Sequence, residues 1–107
     1  MKTGIELIIE ERQRQIDKEG WDSEHDDSHT SMCLATASAS YALHVASNHA
    51  DVHESWKEIL KECSNKVWPF DEQWFKPTPE DPIKQLVKAG ALIVAEIDRL
   101  QRDQYDN

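Results

Sequence analysis

The sequence predicts an all-α protein: a small helical bundle of three long helices plus one shorter helix, with an aromatic and proline-rich loop before the last helix. Three observations predict it. Apolar residues recur at the 3.6-residue period near both ends of the chain, a long central run carries only small and uncharged residues, and no stretch alternates with the two-residue period of a strand. With 107 residues, of which 38% are hydrophobic, the chain reads as one domain, 1–107, with a modest core.

The first helix is expected over residues 4–18. Ile5, Ile8, Ile9, Arg12 and Ile16 share one stripe, and Glu6, Glu10, Gln13 and Asp17 share the opposite one. Arg12 falls inside the apolar stripe, so it either snorkels or pairs with a buried carboxylate. Gly20 is placed to end this helix in a left-handed turn. Residues 21–31 then read as a polar loop dense in acids and histidines.

A second helix is expected over 31–47. Its run of alanine and serine puts small residues on nearly every face, and no charged residue stands between Asp27 and Asp51. Such a helix needs close neighbours on several sides, which makes it the central one. A weaker third helix over 51–63 carries Val52, Trp56, Ile59, Leu60 and Cys63 on one stripe. Residues 68–77, followed by Pro79 and Pro82, form a loop pinned by aromatics, with room for a short turn around 71–74. The last helix is expected over 81–104, with Pro82 at its first position. Ile83, Leu86, Gly90, Ile93, Val94, Ile97 and Leu100 mark its core stripe, and Gly90 is expected to admit the backbone of the alanine-rich helix.

Composition narrows the function. A net charge of −9 with no basic run repels phosphate backbones and argues against a nucleic-acid polymer as partner. A single nucleotide stays open, because a divalent cation can bridge carboxylate and phosphate. The longest apolar stretch, 89–95, is far too short to span a bilayer, and the first eleven residues do not resemble a secretory signal. The expectation is a soluble cytoplasmic protein. Cys33 and Cys63 form no CxxC pair and are expected to be reduced, small core residues.

The strongest chemical signal is the run 24–29, in which every residue but Ser28 can bind a cation. Its oxygens suit magnesium or manganese, and His25 and His29 add nitrogen ligands. The competing reading is an acidic cap on the next helix, with Asp27 or Thr30 at its N-terminus. Glu11 and Gln15 are four apart and sit beside the first apolar stripe, while Glu10 reads as a surface partner of Arg14. Glu96 flanks the stripe of the last helix and gains interest if it converges with Glu11 and the acidic loop. Lys76, Lys84 and Lys88 are candidate phosphate contacts, although solvation is the simpler explanation for each. Trp68, Phe70, Trp74 and Phe75 either stack on a base or plug a small core. His44, His49 and His53 read as surface residues.

Three motif blocks together resemble a family. They are Glu11-Arg12-Gln13-Arg14-Gln15-Ile16 with Glu19-Gly20-Trp21 and His25-Asp26-Asp27-x-His29; then Trp68-Pro69-Phe70-Asp71 with Trp74-x-Lys76-Pro77; then Leu86-Val87-Lys88-Ala89-Gly90-Ala91-Leu92-Ile93 with Ala95-Glu96-Ile97-x-Arg99-Leu100. The set resembles short bacteriophage and prophage proteins described as MazG-like, and through them the all-α nucleoside triphosphate pyrophosphohydrolases. That resemblance implies a helical dimer or tetramer whose carboxylates hold Mg²⁺ or Mn²⁺ on a triphosphate while water releases pyrophosphate. Carried onto this chain, it makes Glu11, Asp27 and Glu96 catalytic and Glu11, Asp26, Asp27, Glu96, His25 and His29 metal ligands. Arg12, Gln15, Trp68, Trp74, Lys76 and Lys88 become substrate contacts. The chain departs from the superfamily pattern in two places. The third acid of the first helix is missing from Glu10-Glu11-Arg12-Gln13-Arg14, and the second helix has no acid, with Cys33 where members of the resembled family often carry glutamate.

Two further readings compete with the enzyme. One is a non-catalytic phage accessory protein that sequesters a nucleotide signal or binds a host protein through the 68–75 surface. The other is a phosphohydrolase built on the His25-Asp26 doublet, which lacks further histidines on the first and last helices. Large aromatics on a small core, with a glycine in the last helix, point to subunits that pack together, most simply as a twofold homodimer.

Overall fold

A helix begins well where a side chain can take up the free amide groups of its first turn. In the computed structural model, which describes residues 1–106, four of the five α-helices start that way. Thr3 and Glu6 close a reciprocal capping box on α1 (Gly4–Glu19), and Gly20, at φ 74°, ends it in the expected left-handed turn. Asp22 caps α2 (Ser23–Asp27), His53 caps α4 (Glu54–Val67), and Asp81 accepts from the Lys84 amide in the first turn of α5 (Pro82–Asp106). A single 3-10 turn, Glu72–Trp74, lies in the aromatic loop.

The exception is α3 (Cys33–His49). It starts at Met32, whose φ of 60° is left-handed and whose side chain makes no cap. Neither Asp27 nor Thr30 caps it. Glu96 does so from α5: its Oε2 accepts from the Ala35 amide at 3.0 Å, while Oε1 accepts from Arg99 Nε. Both charged side chains are buried, and Arg99 also reaches Met32 Sδ at 3.6 Å.

The chain is all-helical, but the division differs from the expected three long helices and one shorter one. Helices α1, α3, α4 and α5 have 16, 17, 14 and 25 residues, and the polar loop at 21–31 contains α2. Asp22 starts that short helix, and a buried ion pair from Arg12 to Asp26 holds it.

Helix α3 is central, as its small residues require. It packs on both α4 and α5, and α1 packs on α5. On the α4 side, Ser40 Oγ donates to the Ser64 carbonyl and Ser64 Oγ to the Ser40 carbonyl, each at 2.7 Å. On the α5 side, Ser38 Oγ donates to the Ala89 carbonyl, also at 2.7 Å. Leu34, Ala37, Tyr41, Ala89, Leu92 and Ala95 form the buried cluster, with Trp21, Trp68, Phe70 and Phe75 laid against it. Gln85 is fully buried and satisfied at both ends, donating to the Tyr41 carbonyl and accepting from the Thr78 amide. Among the described residues no helix is long and apolar enough to cross a membrane.

Three expectations are corrected. The stripe assigned to the core of α5 faces outward: Ile83, Leu86, Ile93 and Ile97 are exposed, and Gln85, Ala89, Leu92, Glu96 and Arg99 face inward. The polar members can turn in because each finds a partner there. Gly90 does not admit α3; Ile8 of α1 occupies its side, 2.6 Å from where a Cβ would stand. Cys63 lies on the exposed face of α4, although both cysteines are free thiols.

Glu96→Ala should therefore behave as a fold variant. It removes the α3 cap and leaves Arg99 buried without its counter-charge, so unfolding in urea should show a loss of about 3–5 kcal/mol.

A candidate nucleotide-sized cleft

Helix α1, the start of α3, the aromatic loop and α5 enclose a cleft of about 500 Å³, within the usual range for small-molecule sites. Its floor is buried and mostly apolar: Leu34, Ala37, Tyr41 and Leu92, together with the carboxamide of Gln15. Rings form the walls. Trp21 stacks on His25 at an interplanar angle of 8°, His29 meets both His25 and Phe70 edge-on, and Trp68 packs edge-on against Phe70 and Tyr41. Trp74 stands exposed beside the opening. Of the two roles expected of the aromatic loop, the plug is seen directly, since Trp68 and Phe75 pack against the core.

Three cations border the cleft. Arg14 is held by two carboxylates, donating from Nε and Nη2 to Glu11 at 2.7 and 2.9 Å and from Nη1 to Glu19 at 3.0 Å. Lys88 Nζ lies 5.0 Å from the Tyr41 ring centroid and donates to the Lys76 carbonyl at 3.1 Å. Lys76 Nζ lies 5.7 Å from the Trp74 ring centroid. Burial pushes the Lys88 ammonium below the ordinary lysine value, with Lys84 and Arg14 adding to the effect and Glu11 opposing it. Burial acts upward on Glu11, but the Arg14 guanidinium outweighs it and holds this carboxyl below its usual range. His29 is pushed down by burial and by His25, so a neutral imidazole is favoured in the wall.

The residues singled out from the sequence divide sharply. Glu11, Gln15, His25, His29, Trp68, Trp74, Lys76 and Lys88 line this one cleft. The remaining candidates do not. Arg12 does not line it: its guanidinium is largely buried, bonded to Asp26 Oδ2 at 2.6 Å and to the Trp21 carbonyl at 3.0 Å. Asp26 is spent on Arg12 and on His25 Nδ1, at 2.9 Å. Asp27 points outward to Arg102, at 2.8 Å, and Glu96 caps α3. The acids expected to surround Mg²⁺ or Mn²⁺ are therefore held apart in separate ion pairs. Among the described residues no three His, Cys, Asp or Glu side chains converge as a metal site. The donor set does not fit the metal that the resemblance implies.

Sequence reasoning missed Arg14, Glu19, Trp21 and Tyr41 as cleft residues. Arg14 was legible in part, because Glu11 stands three residues before it on the same helix. Its expected partner Glu10 instead meets Lys2 at 2.6 Å. Lys84 does not line the cleft, and His49 and His53 are exposed as expected. No known protein family, curated protein or solved structure matches the chain.

The two neighbouring aspartates should separate on substitution. Asp26→Ala strands a buried guanidinium and should cost about 3–5 kcal/mol. Asp27→Ala breaks an exposed pair and should cost about 1 kcal/mol or less. Denaturant titration of both variants checks the difference.

Proposed function

We propose that this protein binds a nucleotide in the aromatic cleft, with the base among the rings and the phosphates at the cationic mouth. The carrying observation is the pairing of a buried apolar floor with Arg14, Lys76 and Lys88 in a single concavity of about 500 Å³. Aromatic walls take a heterocycle of any sequence identity by stacking. Lysine and arginine at the opening take phosphate without a bridging metal, which suits a chain whose acids are engaged internally. This favours the sequestering reading, in which a free nucleotide is held rather than consumed. MazG-like membership and pyrophosphohydrolase activity form the second reading. One observation favours it: Glu11, the candidate acid of the first helix, borders the cleft within the field of Lys88.

The same experiment separates the two. A panel of ribo- and deoxynucleoside triphosphates is titrated calorimetrically with and without Mg²⁺ or Mn²⁺, and pyrophosphate is assayed in parallel. Binding that survives chelation without release of pyrophosphate supports sequestration. Metal-dependent release abolished by Glu11→Gln supports the enzyme. Lys88→Ala should weaken binding about tenfold, the loss of one partly buried charge–phosphate contact. The pH dependence has a definite sign. Below the lowered pKa of Lys88 the ammonium is charged and affinity is flat. Above it the charge is lost and affinity falls, beginning at a lower pH than an ordinary lysine would set.

A second copy of the chain is the proposed partner for the outward stripe of α5. Ile83, Leu86, Ile93 and Ile97 stand three, seven and four residues apart, which keeps them on one face of α5, and Ile5 and Ile9 of α1 are exposed as well. Light scattering at micromolar concentration should give a dimer mass, and Ile93→Glu should return it to the monomer.

A further inference from the structure

We infer that Gln15 is the residue by which the cleft reads its ligand: the Oε1 of this buried carboxamide accepts a hydrogen bond from an N–H donor on the ring edge of the base. The inference rests on the nucleotide reading of the cleft.

Gln15 lines the cleft, has no exposed surface, and its Oε1 has no hydrogen-bond partner among the described residues. The identity of that orphan atom follows from chemistry. The other end of the amide lies 3.3 Å from Glu11 Oε2, and Glu11 is a carboxylate gripped through two hydrogen bonds by Arg14. A carboxylate only accepts, so the –NH₂ must face it. Reversing the amide would set two acceptors against each other. The unpaired group is therefore the carbonyl oxygen, and it calls for a donor.

Gln85 provides the internal comparison. It is equally buried, yet its Oε1 takes the Thr78 amide at 2.6 Å and its Nε2 serves the Tyr41 carbonyl at 3.0 Å. Where a buried carboxamide only ties helices together, this fold satisfies both ends. Gln15, on the cleft, has one end satisfied. A buried acceptor left unpaired is costly, and a ligand that supplies the missing donor recovers that cost on binding. The exposed cations Arg14 and Lys76 lie nearer solvent than Gln15, so a nucleotide enters base first with its phosphates outward. The imide or amino N–H groups of the natural bases supply the donor; an unsubstituted purine or pyrimidin-2-one ring does not.

The test compares wild type with Gln15→Met, which keeps the side-chain length and removes the acceptor. Calorimetry uses ATP, GTP, CTP and UTP beside purine riboside triphosphate and pyrimidin-2-one riboside triphosphate, whose ring edges lack N–H donors. Wild type should bind its preferred natural nucleotide at least about tenfold more tightly than the matching donor-free analogue. In Gln15→Met that gap should close, because the natural ligand weakens and the analogue does not. A gap that persists in Gln15→Met overturns the inference. Equal binding of natural and donor-free ligands by wild type overturns it too, and leaves the nucleotide reading standing even if the variant fails to fold. Binding of none of the six by wild type removes both.

Discussion

The buried ion pair between Arg12 and Asp26 is the constraint on which the cleft depends. Two charges taken out of water must find each other with good geometry, and here they meet at 2.6 Å with the Asp26 side chain almost wholly enclosed. The pair fixes α2 against α1 across a turn of only three residues. Its second links do the shaping. Arg12 also holds the Trp21 carbonyl, and Asp26 also orients the His25 ring through Nδ1. Those two rings then stack, and His29 and Phe70 continue the wall. A contact that never touches the cavity thus sets the orientation of the side that faces it.

The same economy runs through the other acids. Glu96 serves α3 as the cap that Met32 does not provide, and Asp27 closes an exposed pair with Arg102. For a chain of net charge −9, this leaves little carboxylate free at the cavity. Glu11 and Glu19 do border it, but both are engaged with Arg14. What lines the cavity is aromatic surface, the ammonium groups of Lys76 and Lys88, the Arg14 guanidinium with its two carboxylates, and the Gln15 carboxamide.

Much of this was legible in the sequence, and the failures have physical reasons. The spans of α1 and α5, the turn at Gly20, the central place of the alanine-serine helix and the aromatic loop follow from period, small residues and turn chemistry. The paired carboxylate was one of two alternatives posed by Arg12 in an apolar stripe. The inward face of α5 was not legible. Period alone favours Ile83, Leu86, Ile93 and Ile97, yet Gln85, Glu96 and Arg99 are buried because their partners lie on distant segments. The convergence of Glu11, Asp26, Asp27 and Glu96 failed for the same reason. Sequence spacing places each acid on its own helix, but which arginine reaches it first is decided in three dimensions. The cleft residues fared better, since rings and lysines that cannot all be buried in so small a core must gather at its edge.

The reciprocal serines at the α3–α4 seam have an evolutionary consequence. Ser40 and Ser64 each give a hydroxyl hydrogen to the other helix's main chain and each receive one in return. Neither can drift alone: a larger residue at either position wedges the helices apart and breaks both links, while alanine removes one of the two links between the helices. Homologous chains that bring these helices equally close should keep both serines or lose both together, so the pair is a lineage marker independent of any ligand.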